Sequence, residues 1–156
     1  MCWICSSDNF KLQNAEEDIV VYKVLHLENG KLHSTNYNCF TWIEGETYGS
    51  PLDIHLFRAN ASYYLEGTQG MHSYNQKPVY DANYETYIFR RFYGPKRSVP
   101  VQYNLNKSMC VAKCVIPKGT TYAENEHGEV ISERLQFIKL GTLVDKEIVF
   151  DNVLDK

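Results

Sequence analysis

Between Ile19 and Leu27 almost every position is apolar or aromatic, IVVYKVLHL. Side chains alternate across a strand, so Val20, Tyr22, Val24 and His26 share one face and Val21, Lys23, Leu25 and Leu27 the other. Both faces are largely apolar, which predicts a central strand. Asn29-Gly30 follows, a strong two-residue turn signal, and KLHS returns as the second arm of a hairpin. Residues 1–18 read as a polar lead-in with a short apolar start, ahead of a globular domain over 19–156.

The pattern is less regular in the middle. NYNCFTWIEGETYGS holds a further strand before a Gly-containing loop, and RANASYYLEG fits either a short helix or a strand. Gly67 and Gly70 bracket a turn into Met71–Tyr74, a short strand. Pro78 then suits the first turn of a helix, where its preset φ helps and its missing N–H is not needed. Tyr80, Tyr84, Tyr87 and Arg91 recur at i, i+4, i+7 and i+11, a helical stripe that predicts a helix over about 78–91, ending before Gly94-Pro95.

The last third predicts strands. MCVAKCVI reads as one, Pro117-Lys118-Gly119 and Asn125 to Gly128 as turns, VISERLQFIKL as a partly alternating strand, and TLVDKEIVF as a last one. The expected fold is a single α+β domain, mostly antiparallel sheet with one principal helix.

At 156 residues the chain fits one domain. Tyrosine is abundant: 12 Tyr stand beside 7 Phe and 2 Trp, and a ring with a polar tip suits half-buried sheets and binding surfaces. The net charge of −3 argues against a dedicated DNA-binding protein. Its distribution is uneven, because from Arg90 to Lys118 there are cations and no acid. That stretch, with Arg90 and Arg91 at its start, would attract a phosphate-bearing ligand or an acidic partner. No run of about 18 apolar residues predicts a membrane span, and MCWICSSDNFK lacks the form of a secretory signal. Five cysteines, an odd number, fit a reducing compartment, so a cytoplasmic location is expected.

Cys2-x2-Cys5 and Cys110-x3-Cys114 have the look of zinc pairs. The second pair falls in a predicted strand, roughly 13 Å apart at the usual rise, too far to share an ion. Buried thiols explain it better, and neither a metal nor a cofactor is expected. The five histidines show no HxH or HExxH spacing, and no GxSxG, Walker A or GxGxxG occurs. In GEVISERL, Glu129 stands at the predicted start of a strand, where a rim carboxylate can orient ribose hydroxyls or stabilise a cationic transition state.

Three segments occur in order: VYKVL, then GMHSY with its expected Ala82-containing helix, then CVAKCVIPKGTTYAENEHGEVISERLQFI. Over roughly residues 19–140 this order resembles a group of small proteins encoded by bacteriophages and by prophage-carrying gut bacteria. More remotely it resembles the ADP-ribosyltransferase fold. That resemblance implies an NAD-contacting first strand, a Tyr or Ser on a second strand (Tyr74 or Ser73) and a catalytic Glu opening a late strand (Glu129). VYKVL carries Tyr22 and Lys23 where an active enzyme has His or Arg, so the resemblance implies a pocket that binds a nucleotide-like ligand without turning it over. The expected ligand-binding residues are Tyr22, Lys23, His72, Ser73, Tyr74, Arg90, Arg91 and Glu129.

The sequence therefore supports a non-catalytic phage-type binding protein in the bacterial host's cytoplasm, sequestering a nucleotide-derived signal or engaging a host protein. The alternatives are an ADP-ribosyltransferase-like enzyme with Glu129 as its catalytic residue, and a Tyr-rich interaction module that meets another protein or its own copy.

Overall fold

A computed structural model describes residues 3–34, 41–59, 61–83, 85–92, 98–103 and 109–150, with backbone alone at 89–92 and 98–103. The strands are β1 (Trp3–Ser6), β2 (Gln13–Asn14), β3 (Ile19–Glu28), β4 (Lys31–Ser34), β5 (Thr47–Gly49) and β6 (Asp53–Ala59). They continue as β7 (Ser62–Gln69), β8 (Met71–Tyr74), β9 (Val79–Asp81), β10 (Thr86–Phe92), β11 (Ser98–Tyr103) and β12 (Met109–Ile116). The last are β13 (Thr121–Glu124), β14 (Glu129–Ser132), β15 (Arg134–Leu140), β16 (Thr142–Val144) and β17 (Glu147–Val149).

The described residues contain no helix, so the fold is all-β and the α+β expectation is corrected. The segment predicted as a helix over 78–91 is the hairpin β9–β10. Tyr80 and Tyr87 oppose each other across it. Residues seven apart share a helical stripe, but across a four-residue hairpin loop they also share a face, so the spacing fits both. The β-branched residues Val79, Thr86 and Ile88 favour strands. The loop has turn chemistry of its own: the Asp81 carboxylate accepts the Asn83 N–H at 2.9 Å, and Glu85 adopts a left-handed φ of 54°. Pro78 immediately precedes an edge strand, where its missing donor costs nothing.

Elsewhere local signals and structure agree in part, two of the expected single strands being divided by turns. Asn29 and Gly30, at φ 52° and 75°, close the β3–β4 hairpin with Glu28 opposite Lys31. Met71–Tyr74 and 109–116 are strands, and RANASYYLEG resolves into the end of β6, a turn and β7. VISERLQFIKL divides at Glu133 into the end of β14 and β15. TLVDKEIVF is the hairpin β16–β17, turned by Asp145 and Lys146 at φ 50° and 67°.

The main sheet runs β2-β13-β14-β8-β3-β12-β15-β5, with β4 also on β3. β3 is central, as its two apolar faces require, and over Ile19–His26 it pairs with the whole of β12. One core contains Ala15 after β2, Val21 and Leu25 of β3, Ala112 and Cys114 of β12, Phe137 of β15 and, at its margin, Tyr48 of β5. Residues from both ends of the sheet meet there, so the sheet curls around this inner face.

Two clusters cover the outer face. In one, Trp3 and Cys5 of β1 pack on Ala123 and Ile131 beneath the small sheet β1-β7-β6. Trp3–Ser6 and Gln13–Asn14, ahead of residue 19, are thus built into the sheets, and Trp3 has no accessible surface. In the other, Tyr87 and Ile148 pack on Val24 and Val111, with Tyr22, Tyr74, Tyr80 and Phe150 around them. This second layer comes from the sheet β11-β10-β9 and the hairpin β16–β17.

Candidate functional site

Tyr22, Tyr74 and Glu129 form a row across three adjacent strands: Tyr22 pairs with Tyr74, and Tyr74 with Glu129. Paired residues of antiparallel strands point to the same face, here the outer one. His72, opposite Ile131, belongs to that face as well. The ring of Tyr22 lies 5.5 Å from that of Phe150, inside the tyrosine cluster.

A cleft of about 500 Å³ begins at Tyr74. Its floor continues through the β8–β9 connection, Asn75, Gln76 and Lys77. One wall is the β9–β10 hairpin, with Val79, Tyr80, Asp81 and Ile88, and His127 closes the other side from the β13–β14 turn. The lining therefore comes from one stretch of chain, residues 74–88, joined by the distant His127.

Its side chains are anchored from behind. The Asn75 amide donates to the Glu124 carboxylate, and the Asn75 N–H to the Gly128 carbonyl at 2.8 Å. Gly128 has a φ of +77° and its Cα faces the Asn75 amide so closely that a Cβ there would collide with it. Lys77 Nζ donates to the Ile148 carbonyl at 3.0 Å, and the Tyr87 hydroxyl to the Lys146 carbonyl at 3.0 Å. Tyr80 packs edge-on to Tyr87 at 5.3 Å, with Lys146 Nζ 4.8 Å from its ring centre. Burial pushes the Tyr87 phenol above its usual pKa, Tyr80 adds to this and Lys146 opposes it.

Of the residues expected at a site, Tyr74 lines this cleft. Tyr22 stands behind it in the row. Lys23 points to the inner face, where its Nζ donates to the His72 carbonyl at 2.8 Å and lies 5.6 Å from the Trp42 ring centre. Ser73 is buried on that inner face beside Val130. Neither Lys23 nor Ser73 reaches the cleft, because each is one residue out of phase with the outward row. Arg90 and Arg91 have their backbones in β10, opposite Pro100 and Val99, and their side chains lie outside the described residues.

Glu129 is 1% exposed, so the rim carboxylate expected at this position is instead an interior one. The Trp3 indole donates to its carbonyl at 2.7 Å, and its N–H donates to the Asn125 side-chain oxygen at 3.0 Å. β1 brings the covering indole from 126 positions away, a placement with no local signal.

The sequence reading missed Asn75, Gln76, Lys77, Asp81 and His127. A signal was present: NQK between a strand and a proline, and an Asp-Ala-Asn turn, are polar loop segments beside tyrosines. Among the described residues no group of three His, Cys, Asp or Glu side chains comes together to hold a metal. Cys110 and Cys114 lie on the inner face, and Cys2 falls outside the described residues. Burial, then the nearby Glu126 carboxylate, pushes the Cys5 thiol to about 12. Burial does the same to Cys114, to about 12, against the opposing charge of Lys23. No helix among the described residues is long and apolar enough to cross a membrane. Comparison of the chain with protein-family models, curated proteins and solved structures finds no match.

Proposed function

We propose that the protein is a phage-type binding protein that holds a small nucleotide-derived molecule in the cleft at Tyr74 and returns it unchanged, in the cytoplasm of a bacterial host. The observation that carries this reading is the cleft itself. At about 500 Å³ it has the size of a small-molecule site. Aromatic, amide and carboxylate side chains converge in it, from Tyr74 and Tyr80, Asn75 and Gln76, and Asp81. Binding without turnover is supported by the interior position of Glu129 and by the protonated state of the Cys5 and Cys114 thiols, which makes them poor nucleophiles.

The test is a thermal-shift screen against NAD, ADP-ribose, cyclic dinucleotides and mononucleotides, with recovery of the ligand afterwards. A ligand at about 100 times its Kd stabilises by about 2.7 kcal/mol, a shift of several degrees. Tyr80→Ala removes that shift if the cleft is the site. No shift with any of these compounds sends the proposal to a host protein partner instead.

The Tyr22–Tyr74–Glu129 row favours a second reading, an ADP-ribosyltransferase-like site using NAD. It requires Glu129 to become accessible when ligand binds. NAD consumption that disappears in Glu129→Gln supports it, and full recovery of NAD after long incubation removes it.

A further inference from the structure

We propose that the cleft takes the uncharged part of its ligand, a hydroxyl-bearing ring such as a nucleoside or a sugar, and leaves any phosphate outside. This rests on the binding reading above and narrows it. Among the described residues, the charged side chains at the cleft balance. Lys77 and Asp81 line it, Lys146 stands over the Tyr80 ring, and Glu124 holds the Asn75 amide. Two cations thus meet two carboxylates, and these four side chains together offer an entering phosphate no net positive charge.

The cation in the lining is also engaged. Lys77 Nζ donates to the Ile148 carbonyl at 3.0 Å, a bond that fastens the β16–β17 hairpin. A phosphate would have to draw the ammonium from that carbonyl. Phosphate sites ordinarily present several convergent N–H donors, an Arg fork or a helix N-terminus, and the lining of this cleft consists of strands and turns.

What the lining does offer matches a ring with one apolar face and a polar edge. Val79 is 70% exposed and, with Ile88, provides apolar surface. Asn75 and Gln76 lie exposed along the floor and carry amides, which both donate and accept. Asp81 uses Oδ1 on the Asn83 N–H, and a carboxylate has further lone pairs to accept from neighbouring hydroxyls. Ribose and hexoses alike supply adjacent hydroxyls.

Titration calorimetry with adenosine, guanosine, uridine, ribose, glucose and galactose, and with AMP in parallel, tests the assignment. The expected result is binding of at least one nucleoside or sugar, with AMP no tighter than adenosine and little dependence on salt. Asp81→Asn, which keeps a side-chain oxygen for the Asn83 N–H, is expected to weaken that binding by tenfold or more while the melting temperature of the free protein stays within about 3 °C. Binding by nucleosides and not by free sugars assigns the base as part of the recognised unit, and the reverse assigns a saccharide. AMP binding tenfold or more tighter than adenosine, weakened by salt and lost in Tyr80→Ala, overturns the inference and leaves the cleft as a nucleotide site. Silence from every compound overturns the inference, and silence together with no shift in the nucleotide screen above overturns the binding reading as well.

Discussion

The two faces of the β3–β12 pair are packed by different chemistry. On the inner face Val21, Leu25, Ala112 and Cys114 have no accessible surface, and their neighbours are aliphatic, thiol and aromatic side chains from both ends of the sheet. On the outer face Val24 and Val111 are covered by the buried Tyr87 and Ile148, ringed by Tyr22, Tyr74, Tyr80 and Met109, side chains that remain partly accessible. Tyrosine can cover a sheet and still present a hydroxyl to water, which leucine cannot. The inner face is thus built to hold the fold, and the outer face can hold it while keeping one side open to a ligand.

The comparison is broken most severely from the inside. Phe137→Ala removes a ring that is 1% exposed at the centre of the inner core, and is expected to cost about 3–5 kcal/mol, read as a lowered denaturation midpoint. A loss below about 1 kcal/mol would show that the inner face does not dominate stability. Next comes the junction of the outer layer with the main sheet. Gly70 has a φ of +140°, and a Cβ there would sit 2.5 Å from the Ile131 side chain and 2.8 Å from Leu52. Gly70→Ala is expected to cost about 1–3 kcal/mol, from overpacking and backbone strain together.

Smaller effects sharpen the contrast. Glu126, exposed at the β13–β14 turn, ties β1 to the main sheet. Its carboxylate accepts the Ser6 hydroxyl at 2.7 Å, the Ser6 N–H at 3.0 Å and the Asn9 amide at 3.1 Å. Burial raises its pKa, but these hydrogen bonds outweigh burial and hold it below the usual carboxylate value. A pKa lowered in the folded state means stability that is complete above the unfolded pKa and lost as pH falls through the folded one. Glu126→Gln is therefore expected to cost about 0.5–1 kcal/mol at pH 7, in keeping with its exposure. Its denaturation midpoint should converge on that of the unmodified chain as pH drops below about 4. An equal cost at pH 7 and pH 3 would remove the charge from the explanation. The smallest effect is at the cleft rim: Val79→Thr, at a 70% exposed position, is expected to leave stability within about 0.5 kcal/mol. A loss above 1 kcal/mol would mean that the rim carries structural load.

The site residues divide by whether their signal was local. Tyr74 was legible because alternation in a short strand between turns places it on a defined face. Asp81 was hidden by the helix expected over 78–91, and Asn75 and Gln76, in the connection ahead of it, had no wall to face until that segment became a hairpin. Arg90 and Arg91 stood out by charge alone, which says nothing about where a side chain points.

The chain by itself determined the β3–β4 hairpin, the strands at 71–74 and 109–116, and the central place of β3. Each depends on interactions within a few residues, such as left-handed Asn-Gly geometry or an uninterrupted apolar run. Only the tertiary structure decided that Tyr80 meets Tyr87 across a turn instead of along a helix, because both arrangements satisfy the same spacing. It also decided that Trp3 covers Glu129 and that His127 reaches the cleft. Those contacts join segments far apart in the chain, and their cause is the curl of a sheet whose strand order no local pattern encodes.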